Sequence, residues 1–279
     1  MKIPVGIVTY NPDSARFKSN FLSIINNTYV SEIIIVDNNS SNIKEIEDIT
    51  HSYNSVTIIR NTKNEGIAKA LNQICKDAIE KGYEWVVTLD QDSIISDNLL
   101  KTYSEHTADK QNGIVCCRIE EVHYGTMYKS RKTGEDYISQ CITSGNMINL
   151  KAISEIGFFN EALFIDGVDF DICIRMTKQG YKILRVNEAF ISHEIGHSRK
   201  VSFFGKTAMV LNHSETRLYY IARNYIYIGI KYRCVKRWLT EVLKRILLVL
   251  IYENKKIKKT SYMIKGIYHG VKGDLGPIH

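Results

Sequence analysis

The chain has 279 residues, 44% of them hydrophobic and 24% charged, with 17 Gly and only three Pro. That composition excludes a collagen-like, low-complexity or wholly disordered chain, and the length allows one or two domains with cores of their own. The net charge of +7 is unevenly spread: residues 1–198 carry 20 basic against 26 acidic side chains (−6), and residues 199–279 carry 17 against 4 (+13). An acidic body with a basic end section points to carboxylate chemistry in the first and an anionic partner for the second.

In chain order, the apolar run 5–9 predicts a first strand, and Pro4 with no small-residue cleavage pattern argues against a signal peptide. Asp13 is placed to cap a helix with Phe17, Phe21, Ile24 and Ile25 on one face. Strands follow at 33–37 and 56–60, with Ile43, Ile46 and Ile49 recurring between them at helical spacing. Residues 65–82 carry Ile67, Leu71, Ile74 and Ile79, with Gly82 to end the helix. Further strands are expected at 85–90, 114–118 and about 142–149, and the run 181–191 reads as a strand and turn. This β-α alternation predicts an α/β fold with an open sheet, whose ligands bind at the carboxyl ends of the strands. From about Phe203 the pattern is helical. The longest apolar run, 246–252, has seven residues against the roughly 20 a membrane-spanning helix needs. Six Cys without a C-x-x-C pair suggest reduced core thiols in a cytoplasmic protein.

Strand ends carry the unusual residues. Asp90-Gln91-Asp92 follows an apolar strand, where paired carboxylates suit a hard divalent cation such as Mg²⁺ or Mn²⁺; the same tripeptide also suits a plain turn. In the run 166–175, Asp171 and Arg175 are spaced to pair on a helix, leaving Asp169 at its start as a general base or simply as a cap. His193-Glu194-Ile195-Gly196-His197 spells H-E-x-x-H, the pattern of a zinc hydrolase, although Gly196 and the strand-like run before it disfavour the helix that site requires. There is no G-x-G-x-x-G and no P-loop pattern.

Taken together, these residues resemble glycosyltransferase family 2, in its bacterial rhamnosyltransferase-like branch, over about the first 200 residues and more weakly to about 232. Val8-Thr9-Tyr10-Asn11 and Ile35-Val36-Asp37-Asn38-Asn39-Ser40 are similar to its first two strand ends. Asn61-Thr62-Lys63-Asn64-Glu65-Gly66-Ile67-Ala68-Lys69-Ala70-Leu71-Asn72 resembles its nucleotide-side helix start, Asp90-Gln91-Asp92 its D-x-D, and Thr143-Ser144-Gly145-Asn146 its small-residue pocket segment. Ile165 to Arg175 is similar to I-D-x-V-D-x-E-x-C-x-R, with Asp171 in place of Glu; His193 and Gly196 match H-x-x-G, and Arg217 to Asn224 matches R-x-x-Y-x-x-R-N.

The resemblance implies a GT-A, Rossmann-like open mixed sheet flanked by helices over residues 1–200; the pattern of 201–279 itself reads as a helical, basic, membrane-associating region. The resemblance further implies Asp169 as catalytic base, Thr9, Asp37 and Asn64 as nucleotide contacts, and Asp90, Asp92 and His193 as ligands of Mg²⁺ or Mn²⁺. Ser144, Gly145, Asp171 and Arg175 would belong to the substrate pocket. The expected reaction is inverting transfer of a sugar from a nucleoside diphosphate, L-rhamnose from dTDP-L-rhamnose or a hexose from a UDP-sugar, to a lipid-linked saccharide for cell-surface polysaccharide. Leu239, Leu243, Ile246, Leu247 and Leu250, with Lys236, Arg237, Lys244 and Arg245 beside them, form a basic amphipathic stripe. That stripe suits an anionic membrane surface on the cytoplasmic side, or a helical hairpin packed on the body. No nucleic-acid motif accompanies the charge.

Overall fold

A computed structural model describes residues 1–121, 125–126, 131–193, 199–203 and 206–278. The first half alternates as the spacing predicts: β1 (Ile3–Thr9), α1 (Ser14–Ile25), β2 (Val30–Asp37), α2 (Ile43–Thr50), β3 (Val56–Arg60), α3 (Ile67–Glu80) and β4 (Trp85–Asp90). The short β5 (Ile94–Ile95) and α4 (Leu99–Ser104) lead to β6 (Asn112–Glu121), β7 (Gly125–Thr126), β8 (Glu135–Tyr137), β9 (Asn146–Asn149) and α5 (Leu150–Glu155). A 3₁₀ turn (Glu161–Leu163) precedes α6 (Val168–Lys178), β10 (Lys182–His193), β11 (Arg199–Phe203) and β12 (Lys206–Val210). Three helices close the chain: α7 (Glu215–Lys231), α8 (Val235–Tyr252) and α9 (Lys256–Lys272).

The main sheet runs β3-β2-β1-β4-β9-β6-β10-β5, with β7 on β6 and β8 on β10. β3, β2, β1 and β4 are parallel, and β9 is antiparallel to both β4 and β6. The sheet is therefore mixed, an α/β fold flanked by helices. The chain winds outward from β1 through β2 to β3, then crosses to lay β4 on the other side of β1. That reversal opens a crevice at the carboxyl ends of β1, β2 and β4, where open α/β sheets bind ligands. β1 is buried along its whole length, as a parallel strand covered on both faces must be.

Two compact units divide the chain: residues 1–160 with 169–194, and residues 161–168 with 195–279. In the first, the sheet and α1 share one core in which Phe17, Phe21, Ile24, Ile33, Ile35 and Trp85 are buried. Asp13 caps α1, its carboxylate accepting from the Arg16 amide. In the second, α8 and α9 pack on α7, and Leu218, Ala222, Ile226, Val242, Val249 and Met263 make the core. Gly266 and Gly270 of α9 lie so close to the carbonyls of Tyr219 and Arg223 that a Cβ at either would collide with backbone. Among the described residues no helix is long and apolar enough to cross a membrane.

Three expectations are corrected. The strand expected over 142–149 is confined to Asn146–Asn149, because Gly145 stands at φ +78° and the residues before it turn across the end of β4. The helix expected from 65 begins at Ile67. Helix does not start at about 203: β11 and β12 form an antiparallel hairpin there, and α7 begins at Glu215, capped by Ser214.

Candidate active site at the open edge of the sheet

Thr9 and Asp37 end adjacent parallel strands and are paired in register. Their side chains meet, the Thr9 hydroxyl donating to Asp37 Oδ1 at 2.9 Å. Ser40 adds its amide to Asp37 Oδ2 at 2.8 Å and its hydroxyl to Oδ1. Asp37 is 1% exposed. A carboxylate offers about four lone-pair sites, so three acceptances leave capacity on Oδ2 for one more donor. Asn38 continues this web, donating to the Gly66 carbonyl and accepting from Asn61. Asn64 folds back on the start of α3, its Oδ1 accepting from the Gly66 amide at 3.0 Å. The nucleotide contacts expected from sequence are thus brought together at the ends of β1 and β2 and the start of α3. Thr9 itself is fully buried, so its hydroxyl orients Asp37 rather than meeting solvent.

Asp90 ends β4 beside β1, and Asp90 and Asp92 are both half-buried. The Ser144 hydroxyl receives the Asp90 amide and lies 3.0 Å from the Ser93 hydroxyl, while Asn20 of α1 donates to the Asp90 carbonyl. The Gly145 amide and the Thr143 carbonyl both bond to Thr88, two residues earlier on the same strand. Tyr103 donates from below to the Gly145 carbonyl. Ser144 and Gly145 therefore hold the turn that carries Asp90 and Asp92, and Ser144 is buried in doing so. Two hard carboxylate donors on a braced turn fit a hard divalent cation. Among the described residues no group of three His, Cys, Asp or Glu is arranged to hold one.

Asp169 lies in the first turn of α6, where unpaired helix amides stabilise negative charge, and its Oδ1 accepts from the Phe170 amide at 2.9 Å. One turn on, Cys173 Sγ lies 3.7 Å from Cys141 Sγ, and Cys141 Sγ accepts from the side-chain Nδ2 of Asn146, the register partner of Thr88. The stretch 141–146 thus meets the first turns of α6 and also braces the end of β4. Hydrogen bonding between the two thiols, together with burial, holds Cys173 well above the usual thiol range, and Cys141 is raised by its bond to Cys116 and by burial. Cys117 is pushed up to about 11 by burial. These are inert thiols, all six cysteines being free.

Two pocket residues stand differently from expectation. Asp171 is wholly buried, with Oδ2 2.7 Å from Arg175 Nε, and Arg175 Nη1 donates to the Ile156 carbonyl. The pair ties α6 to the turn after α5, and the Asp171 carboxylate has no solvent face to offer a sugar. His193 is the last residue of β10, in register with Glu121 of β6. A strand there is incompatible with the helix that a zinc-hydrolase H-E-x-x-H needs at its first His. The His193 side chain, Glu194, Gly196 and His197 lie outside the described residues.

Residues 5–168 match the glycosyl transferase family 2 pattern, more than half of the chain. The chain belongs to glycosyl transferase family 2. As a member it is a nucleotide-sugar glycosyltransferase. The dTDP-rhamnosyl transferase RfbF of Shigella flexneri is 29% identical over 234 residues, covering 78% of this chain and 76% of that one. The mannosyltransferase PcManGT from Pyrobaculum calidifontis, solved with GDP-Man and Mn²⁺, superposes with a TM-score of 0.62 over 97% of this chain and 87% of its own, at 13% identity. GalNAc-T7, solved with UDP, GalNAc and Mn²⁺, gives 0.64 over 98% of this chain and 56% of its own, at 16% identity. At these identities the likeness is one of fold, and the family 2 sheet is of the GT-A type.

Sequence reasoning missed the residues that hold this edge together. Asn20 and Tyr103 carry no motif, and each matters through a partner 42 to 70 positions away; Asn38 and Asn61 lie in motifs that give them no role of their own. A polar residue on an otherwise apolar helix face, as Asn20 is between Phe17 and Phe21, was the available signal.

Proposed function

We propose that the protein is an inverting, divalent-metal-dependent rhamnosyltransferase that moves L-rhamnose from dTDP-L-rhamnose to a hydroxyl of a lipid-linked saccharide during cell-surface polysaccharide synthesis. The chemistry is supported above all by one observation: the stretch 141–146 braces the turn bearing Asp90 and Asp92 and also packs on α6, the helix whose first turn carries Asp169. The donor is supported by the likeness to a dTDP-rhamnosyl transferase.

Each residue has a physical task. Asp37, oriented by Thr9 and Ser40 and nearly buried, has one acceptor site left on Oδ2, and the ring N–H of a pyrimidine must reach it there, with Asn64 shaping the loop beside it. Mg²⁺ or Mn²⁺ held by Asp90, Asp92 and His193 would supply Lewis-acid neutralisation of the charge left on the departing diphosphate. Asp169 takes the proton of the acceptor hydroxyl as its oxygen attacks the anomeric carbon from the face opposite the leaving group. One base and one displacement give inversion, and no carboxylate serves as a nucleophile. Asp171 and Arg175 keep α6 in place.

Residues after about 235 attach the enzyme to the anionic cytoplasmic face of a membrane. Leu239, Leu243, Leu247, Leu250 and Ile251 of α8 are exposed beside Lys236, Arg237 and Lys244, a combination suited to insertion among acidic headgroups.

The deciding experiment measures transfer by wild type and Asp169→Asn over a panel of dTDP- and UDP-sugars with Mn²⁺. Turnover is expected with dTDP-L-rhamnose, to fall at least about a hundredfold in the variant at unchanged donor affinity, and to vanish in EDTA. Undiminished turnover in Asp169→Asn removes the base. Turnover with UDP-sugars alone replaces the donor.

A further inference from the structure

The stretch from Arg217 to Asn224, which the sequence marks as R-x-x-Y-x-x-R-N, has no task in the reaction above. Every one of its named residues acts on the same short segment, 161–167, which leads directly into α6. Asn224 Nδ2 faces three carbonyls, Leu163 at 2.9 Å, Ile165 at 2.8 Å and Asp166 at 2.7 Å. Arg223 Nη2 donates to the carbonyls of Leu163 and Ala162, and Nη1 to Gly276, whose own amide returns to Ala162. Arg217 clasps the Asp166 carboxylate with Nε and Nη2 at 3.2 and 3.3 Å. Tyr220 stacks on Phe164, ring centroids 5.1 Å apart.

Two features make this more than packing. Phe164, Asp166 and Gly167 all have φ near +60° to +80°, a left-handed backbone that side chains other than those of Gly, Asn and Asp avoid. Such a run persists only where its surroundings over-determine it. Arg223 and Asn224 are also fully buried polar groups. The Arg223 guanidinium hydrogen-bonds to carbonyls and to the Asn224 side-chain oxygen and lies over the rings of Tyr219 and Tyr220, with the Asp274 charge acting on it without a direct ion pair among the described residues. An apolar helix face would fill that space at lower cost.

We propose that Arg217, Arg223 and Asn224 are positioning residues for Asp169: they clamp the left-handed segment 164–167 and so set where α6 begins and how its first turn presents the carboxylate. The inference rests on the reading of Asp169 as base. Asp166 adds a second handle, since Asn also tolerates its backbone while lacking its charge.

The test uses the full-length protein with Arg217→Gln, Arg217→Lys, Asp166→Asn and Asn224→Ala. Hydrogen exchange is read in peptides covering 161–172, affinity is measured for dTDP with Mn²⁺, and kcat is measured for dTDP release from dTDP-L-rhamnose well below each variant's Tm. Because Arg217 is exposed and its pair with Asp166 lies at the surface, the Arg217 variants should stay folded, and Asp166→Asn keeps the shape of the half-buried side chain. Expected are about tenfold faster exchange at 164–170 and a kcat lower by about tenfold to a hundredfold, at dTDP affinity within about twofold of wild type, with Arg217→Lys partly restored. Unchanged exchange at 164–170 in every variant overturns the clamp, whatever the donor proves to be. Faster exchange with a wild-type kcat overturns its positioning role. Wild-type kcat in Asp169→Asn would instead remove the base reading alone, which keeps the two failures apart.

Discussion

Helices α1 and α8 are both amphipathic, yet they use their apolar residues in opposite ways. In α1 the row Phe17, Phe21 and Ile24 is fully buried in the core it shares with the sheet. In α8 the buried side chains are Trp238, Val242, Leu248 and Val249, and the row Leu239, Leu243, Leu247 and Leu250 is turned outward, Leu243 being 49% exposed. A helical period tells how apolar residues line up along a face. It does not tell which face the fold covers when a helix has two. The acidic unit thus closes over its apolar surface, and the basic unit keeps some in reach of a partner.

The sharpest way to break this contrast is to truncate one side chain from each row. Phe21→Ala should lower the stability of folding by about 3–5 kcal/mol in urea denaturation, because it leaves a cavity in a packed core. Leu243→Ala should change it by no more than about 0.5 kcal/mol, as an exposed substitution does; an equal loss in both would mean that the α8 row is covered. Next in size, the double change Leu243→Glu with Leu247→Glu should weaken co-sedimentation with phosphatidylserine vesicles by at least about tenfold at constant Tm, each lost leucine insertion being worth about 1.5–3 kcal/mol. Vesicle binding that survives the change would place the attachment elsewhere.

The smallest effect belongs to pH. His213, before α7, has its pKa pushed down to about 3, first by burial and then by the charges of Arg217, Arg245 and Lys259. The unfolded chain takes up this proton near pH 6.5 and the folded chain does not, so stability should fall as pH drops from about 6.5 toward 3. His213→Gln should flatten that slope in urea midpoints measured at pH 7 and pH 5.5. Parallel slopes in the two proteins would show that His213 does not carry it.

Much of the candidate site was legible before any coordinates, because the residues that face a ligand in an open α/β sheet sit at strand ends, and strands announce themselves by apolar runs. Thr9, Asp37 and Asp90 each close such a run. Asp13 as a cap and Gly82 as a stop follow from chemistry local to a few residues. The turn at 142–145 was not legible, since its shape comes from bonds to Thr88, Asp90 and Tyr103, some 40 to 55 positions away. Nor was the burial of Asp171. An Asp and an Arg four apart look alike on a wet helix face and in a core, and the difference lies in what the rest of the chain lays over them.

The sequence by itself determined the alternation of strand and helix, the acidic and basic parts, and which carboxylates end up at strand ends or helix starts, since each of these depends on neighbours within a turn or two. Only the tertiary structure decided that the 141–146 stretch joins the β4 turn to α6, that α7 grips the residues before Asp169, and that a leucine row on α8 stays uncovered. Those outcomes depend on hydrogen bonds and packing between segments far apart in the chain, whose pairing no local pattern encodes.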